Sequence, residues 1–174
     1  MKKALFTILT VLFADQALKI WVKTNMYLGQ EFSVLGNWFI MHFTENPGMA
    51  FGLEFGGELG KIALSLFRIV AVFVIGYYLF KAARENAKTG LVVAGSLIFA
   101  GALGNILDSA FYGLVFNSSM HQIAEFMPEE GGYESFLHGR VVDMLYFPLI
   151  SGNFPNWFPV WGGENFLFFR PVFN

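Results

Sequence analysis

The stretch ALFTILTVLFADQALKIWV, residues 4–22, decides the fold. It is mostly apolar and has roughly the twenty residues that a helix needs to cross the hydrocarbon core of a membrane. Lys2 and Lys3 precede it. Basic residues of this kind are typical of the cytoplasmic end of a transmembrane span. Asp15, Gln16 and Lys19 lie inside the run and no small-x-small cleavage pattern follows, which favours a retained span over a cleaved signal peptide. We therefore predict a first transmembrane helix here.

The composition of the whole chain also favours a membrane. Its 174 residues are 55% hydrophobic and 18% aromatic, with 22 Phe, and only 14% are charged. A soluble domain of this size does not bury so much apolar surface. The net charge of −2 and the lack of a basic, aromatic-rich cluster exclude a nucleic-acid binder. The absence of Cys excludes disulfides, thiolate metal sites and a cysteine nucleophile.

Two further apolar runs, at about 60–80 and 90–113, predict two more spans. The link 81–89 between them is basic, so the positive-inside rule places it and the N-terminus in the cytoplasm. The segments of about 24–58 and 114–174 then lie on the outer side of the membrane. We predict one mainly α membrane domain, a helical bundle with a small β-sheet on its outer side.

The two outer segments differ in composition. Residues 31–52 are rich in aromatic and β-branched residues with Gly between them, which predicts short strands and turns. Residues 117–139 are polar, and apolar residues return at 141–150. Residues 154–173 are packed with Phe, Trp and Pro, which is typical of an aromatic belt at a membrane interface.

Charged residues inside spans cost roughly 2.5–3.5 kcal/mol each on insertion scales, so each one needs a reason. Asp15 and Lys19 are four residues apart and share a helix face, as an ion pair or as part of a site. Asn105 and Asp108 share a face of the third span, where they either support a site or tie helices together. Arg68 in the second span is a candidate counter-ion for one of these acids.

Two motifs outside the spans carry candidate site residues. The sequence NPGMAF at 46–51 combines turn-forming and small residues, so its backbone, around Gly48, can approach a ligand while the Asn46 amide points at it. An ordinary turn is the alternative. Asp143 lies between apolar neighbours, where desolvation raises the pKa of a carboxyl towards neutrality, as a general acid or base requires.

Together and in this order, these fragments resemble the type II (lipoprotein) signal peptidase family of the bacterial inner membrane. The matching boxes are Asp15-Gln16 with Lys19, the Asn-x-Gly-x-Ala-Phe box at 46–51, the Gly-rich Asn-x-x-Asp box at 101–108, and the first catalytic Asp box at 141–143. The resemblance covers nearly the whole chain.

The resemblance implies an aspartic protease in which Asp143 is the first catalytic carboxylate. It implies supporting or substrate-binding roles for Asp15, Lys19, Asn46, Gly48, Asn105, Asp108, Arg140 and Asn174. The implied substrate is a prolipoprotein, cut before its diacylglyceryl-cysteine at the periplasmic face, with the lipid chains entering between the helices. Membrane lipids are the other implied partners, and we expect a monomer with no cofactor.

We also expect no metal. The histidines have no ligand spacing and are interpreted as surface or turn residues; they are His42, His121 and His138.

The chain departs from the family pattern in three places. Ser109 stands where the family has Arg, and Arg140 is a candidate substitute for that charge. Residues 117–139 make the second outer segment longer than usual, as an inserted loop that acts as a lid or is a lineage-specific surface loop. Asn174 matches the Asn of the last box, so we expect the second catalytic Asp, and a fourth transmembrane helix, beyond Asn174 in a longer protein.

Three alternatives remain open from the sequence. Asp108 and Asp143 would form a dyad complete within this chain. A transporter or assembly subunit would use Asp15, Arg68 and Asp108 as a buried ion-pair path, although the internal hydropathy repeat typical of transporters is not visible. A lipid-binding scaffold would keep its function after Asp143→Asn.

Overall fold

The computed structural model describes residues 1–47, 57–168 and 171–174, which form three long helices and two small sheets. The helices are α1 (Lys2–Asn25), α2 (Gly57–Arg84) and α3 (Thr89–Leu107), and α3 continues through a π-helical turn (Asp108–Tyr112) into the short α4 (Gly113–Val115). The strands are β1 (Glu31–Leu35), β2 (Phe39–Asn46), β3 (Val141–Tyr146), β4 (Ile150–Asn153), β5 (Asn165–Phe168) and β6 (Val172–Phe173).

The three long helices cover the three predicted spans and confirm the predicted fold class. Each is long and apolar enough to cross a membrane. In the apolar 18-residue stretch of each helix, only 17–22% is buried inside the protein. Large apolar side chains such as Phe13, Phe67 and Phe73 are instead exposed around the bundle. A membrane supplies the apolar surroundings that these side chains require.

Helices α1 and α3 approach each other closely at Gly104. A Cβ atom at this position would lie 2.6 Å from Asp15 Oδ2, so a side chain here would collide with α1. At the other end of the bundle, small and branched residues such as Ala4, Ile8 and Ala100 are buried together. Small residues at helix contacts are typical of membrane bundles.

The larger sheet has the antiparallel order β1-β2-β3-β6. Thr44 of β2 lies opposite Asp143 of β3, and Val172 of β6 lies opposite Tyr146. One face of the sheet packs on the end of α1 and on the π-helical turn. The buried side chains of this core include Val22, Phe43, Tyr112, Phe116, Val142 and Met144.

Strands β4 and β5 form a separate two-stranded ribbon between β3 and β6. At the closed end of the ribbon, four aromatic rings pack together as Phe154, Phe158, Trp161 and Phe166 of β5. Trp157 and Val160 at this tip are 78% and 88% exposed.

The loop 117–139, which the sequence predicts to be an insertion, is partly buried against the helices rather than lying free on the surface. Ser119 and Ala124 are buried, and the backbone N–H of Ala124 donates to the carbonyl oxygen of Lys23. The loop therefore belongs to the packed end of the bundle next to the larger sheet.

The end of this loop supplies a hydrogen-bond donor to a backbone carbonyl group of the π-helical turn. The backbone N–H of Gly139 donates to the carbonyl oxygen of Ser109 at 2.9 Å. A Cβ atom at Gly139 would collide with the backbone of Asp108, Ser109 and Gly113. The widened turn leaves carbonyl groups without their usual helical partners. Glycine at 139 lets the loop backbone come near enough to bond one of them.

Candidate active site

Asp143 lies in the middle of β3, half-buried, with its carboxylate beside the neighbouring strand β2. Asn46 Nδ2 donates to Asp143 Oδ2 at 3.3 Å, and Thr44 Oγ1 donates to the backbone oxygen of Asp143 at 3.5 Å. Because side chains alternate along a strand, Thr44 and Asn46 share the face of the sheet on which Asp143 lies. The pairing of β2 with β3 therefore brings the two motif residues together.

Burial raises the pKa of the Asp143 carboxyl above its ordinary value. The Asn46 amide, the charges of Lys19 and Arg68 and the Asn174 amide favour the ionised form without overcoming the effect of burial. The result is a carboxyl that exchanges its proton at a higher pH than an exposed aspartate does.

Asp108 is fully buried beneath this site, at the start of the π-helical turn. Lys19 Nζ lies 2.7 Å from Asp108 Oδ2, Gln16 Nε2 donates to Oδ1 at 2.9 Å, and the backbone N–H of Val142 donates to Oδ2 at 3.3 Å. Each oxygen of this carboxylate thus has a partner, and one partner is the backbone next to Asp143.

The predicted ion pair of Asp15 and Lys19 is present, with Lys19 Nζ 3.2 Å from Asp15 Oδ2. Lys19 also donates to Asn105 Oδ1 at 3.4 Å, so the polar faces of α1 and α3 meet at this lysine. Asn174 donates to the same Asn105 oxygen and to the Asp143 carboxylate. The structure therefore brings the predicted residues of α1, α3 and β3 and the residue after β6 into one cluster.

Arg140, the predicted substitute for the family arginine, pairs elsewhere within the described part of the chain. Arg140 Nη1 lies 3.2 Å from Glu45 Oε2, and its guanidinium stacks on the Tyr133 ring. Lys19 instead places a positive charge directly against Asp108. Arg68 of α2 interacts electrostatically with both Asp108 and Asp143, in agreement with its interpretation as a counter-ion.

The sequence reasoning missed a second charged group, in which Lys23 Nζ contacts both Glu45 Oε1 and Ser119 Oγ. One pattern pointed to Lys23: it follows Lys19 by four residues and so lies on the same helix face. No comparable pattern marks Ser119, because the loop that contains it has no regular period.

Two predictions concern other residues. Gly48, with the rest of its motif up to Phe51, lies outside the described residues. His42 Nδ1 lies 2.8 Å from Glu31 Oε2 on the paired strands β1 and β2, so this histidine is part of the sheet surface.

Comparisons with known proteins agree on one family. The family model described as signal peptidase (SPase) II matches residues 7–174. A lipoprotein signal peptidase of Porphyromonas gingivalis is 56% identical over 168 residues, which are 96% of this chain and 73% of that protein. A lipoprotein signal peptidase of Amoebophilus asiaticus is 40% identical over 163 residues, which are 92% of this chain and 65% of that protein.

Solved structures support the fold. Two structures described as bacterial membrane enzymes, obtained by the in meso method, superpose with TM-scores of 0.57 and 0.55 at 22% and 23% identity. Both cover 95% of this chain, and the chain covers 77% and 82% of them. With the family match and the three spans, these findings show that the chain is a multi-pass bacterial membrane protein that belongs to the signal peptidase II family.

Proposed function

We propose that this chain removes signal peptides from lipid-modified prolipoproteins, cutting before the diacylglyceryl-cysteine, with Asp143 as one of two catalytic carboxylates. The observation that carries the proposal is the half-buried Asp143 carboxyl beside the amides of Asn46 and Asn174. Its raised pKa suits a group that must exchange a proton during each reaction cycle.

In the proposed mechanism, one carboxylate of the dyad is ionised and takes a proton from a water molecule, whose oxygen attacks the carbonyl carbon of the scissile bond. The other carboxyl is protonated and gives its proton to the leaving amine as the C–N bond breaks. Two carboxylates in close contact share one proton, because both cannot ionise together. We place the second carboxylate just after Asn174, whose amide contacts Asn105 and Asp143.

Asp108 has a supporting role in this proposal. Its carboxylate already holds Lys19, Gln16 and the backbone N–H of Val142. A catalytic carboxyl needs a free oxygen for water, so these contacts favour a dyad of Asp143 and a later aspartate over one of Asp143 and Asp108. Asp15, Lys19 and Asn105 would support Asp108 in turn.

We also propose that the site faces the periplasm and the N-terminus the cytoplasm, in the inner membrane. Lys3 Nζ donates to Thr89 Oγ1 at 3.3 Å, so the basic N-terminus and the basic 81–89 link lie together. The charge of Lys19, near the opposite end of α1, acts on Asp143. The positive-inside rule then assigns the site to the outer side. We expect the whole chain to be one peptidase domain that acts as a monomer among membrane lipids.

Cleavage of a lipidated prolipoprotein by the full-length gene product in detergent tests the proposal. We expect Asp143→Asn to abolish cleavage while the substrate still binds. Glu31→Gln is the matched control, because this acid lies on the exposed strand β1 and pairs with His42. Normal cleavage by Asp143→Asn would contradict the assignment of this residue.

A further inference from the structure

A second charged cluster lies behind the proposed site and takes no part in its chemistry. Lys23 at the end of α1 pairs with Glu45 of β2, and the Ser119 hydroxyl lies 2.7 Å from both the Lys23 nitrogen and a Glu45 oxygen. Arg140 Nη1 holds the other Glu45 oxygen at 3.2 Å. Lys23 and Ser119 are fully buried, and the Glu45 side chain is 2% exposed. We call these four residues the Glu45 cluster.

The Glu45 cluster is joined to the site through two strands. Glu45 lies between Thr44 and Asn46, which both contact Asp143. Side chains alternate along β2, so Glu45 contacts Lys23 and Arg140 on one face of the sheet, while Thr44 and Asn46 contact Asp143 on the other. Arg140 precedes β3 directly, three residues before Asp143.

The inserted loop 117–139 forms the other side of the cluster. Ser119 comes from its beginning, and Tyr133 from its end accepts a hydrogen bond from the Arg140 backbone at 2.7 Å. The Tyr133 ring also covers the Lys23 ammonium, 5.1 Å from the ring centroid. The loop thus helps to cover the buried part of the cluster, which consists of Lys23, Glu45 and Ser119, while the Arg140 side chain is 34% exposed.

Buried ion pairs are expensive to desolvate and seldom stabilise a fold more than well-packed apolar side chains do. Their best-attested use is to fix one arrangement of the chain. We propose that the Glu45 cluster is a positioning device that holds Asn46 against Asp143, and that the inserted loop serves the active site through it. This inference rests on the proposed function.

The hydrogen bond from Asn46 to Asp143 tolerates little movement of β2. Asn46 donates to Asp143 at 3.3 Å, close to the length at which a hydrogen bond is lost. A displacement of β2 by about 1 Å is enough to reduce an enzyme's rate about 100-fold in unfavourable cases. Fixing Glu45 from three directions prevents such a displacement.

The test compares kcat, KM and the pH profile of cleavage by the full-length protein. We expect Glu45→Gln to lower kcat about tenfold, which is less than the roughly 100-fold loss that a 1 Å displacement can cause, with little change in KM. The pH profile of cleavage should move to higher pH. Without the Asn46 amide, the ionised form of Asp143 is less stabilised, so its pKa rises further. The charges of Lys19 and Arg68, which also act on Asp143, remain in this variant.

Asn46→Ala is the comparator, because it removes the same hydrogen bond directly. We expect the same direction of pH shift as in Glu45→Gln, and no additional shift in the double variant. For the loop, Ser119→Ala should lower kcat in the same way but less, by about threefold, whereas the control Ser118→Ala should not. The Ser118 hydroxyl accepts a hydrogen bond from the Met120 backbone and lies outside the cluster.

Glu45→Gln leaves the Lys23 charge buried with fewer partners, so this variant is measured below its melting temperature. If it does not fold, Lys23→Met combined with Glu45→Gln removes both charges and is measured in its place. A wild-type kcat and pH profile in the folded variant would overturn the inference. Failure of the proposed function looks different: the wild type does not cleave, or Asp143→Asn cleaves normally.

Discussion

The backbone N–H of Val142 donates a hydrogen bond to the buried carboxylate of Asp108, across 34 residues of sequence. This hydrogen bond holds the beginning of β3 against the first residue of the π-helical turn. The same carboxylate holds Lys19 of α1 at 2.7 Å. Asp108 therefore links two membrane helices to the strand that carries Asp143.

We expect Asp108→Asn to destabilise the protein by about 3 kcal/mol, because it removes one partner of a buried ion pair. Asp15 still contacts Lys19, which keeps the loss at the lower end of the range for such pairs. Thermal unfolding in detergent measures the loss. Lys19→Met combined with Asp108→Asn should lose less than Asp108→Asn alone, because the fully buried Lys19 charge is removed as well, while the more exposed Asp15 carboxylate keeps the hydrogen bond from the Gln16 amide. Equal stability of Asp108→Asn and the wild type would contradict this role.

The long elements of the fold were predictable from the sequence, and the reason is physical. Spans have a length set by the bilayer, and strands such as β1 and β2 show β-branched and aromatic residues between glycines. The ion pair of Asp15 and Lys19 followed from helical spacing alone. The fold class was confirmed on this basis.

Other parts depend on contacts that no local pattern encodes. The π-helical turn at Asp108 is stabilised by N–H groups of the loop ending at Gly139, more than twenty residues later. Arg140 pairs with Glu45, which lies 95 positions earlier in the chain. No local pattern links residues so far apart, so the sequence could not show that Arg140 pairs with Glu45 and not with the site around Asp108. The role of each site residue in catalysis remains a prediction.

Glu45 makes the stability of the protein sensitive to acid. Although burial opposes ionisation, Lys23, Ser119 and Arg140 hold the pKa of the Glu45 carboxyl below its ordinary value. A group with a lowered pKa in the folded state stabilises that state fully above its unfolded pKa, and this contribution is lost as the pH falls through the folded pKa. The melting temperature of wild type should therefore fall more steeply on acidification than that of Glu45→Gln. Parallel curves of melting temperature against pH would contradict this expectation.

Gly139→Ala should be strongly destabilising. The added methyl group would collide with backbone atoms of Asp108, Ser109 and Gly113, which cannot move without deforming the π-helical turn. Overpacking of this kind typically costs about 1–3 kcal/mol. Gly90→Ala is the control, because a Cβ atom there meets no atom within 4 Å. Melting temperatures of the two purified variants in detergent decide the matter, and similar values for both would refute the close approach.

The tip beyond the β4–β5 ribbon should lie in the membrane interface. Trp157 is 78% exposed and Trp161 is 52% exposed, and aromatic side chains of this kind favour the headgroup region. We expect lipids brominated on their acyl chains to quench the fluorescence of both residues in reconstituted protein. Trp21→Phe and Trp38→Phe remove the other two tryptophans from the signal. Fluorescence equal to that in unbrominated lipid would place the tip in water.

The contacts of Asn174 have a consequence for the timing of synthesis. Asn174 reaches back to Asn105 and Asp143 only because β6 pairs with β3. The cluster that starts with Asp15 near the N-terminus therefore stays incomplete until the ribosome has made the last of these residues. A partly synthesised chain whose three described spans are already inserted has Asp143 without this neighbour, so the cluster around Asp143 is completed only after those spans have been made.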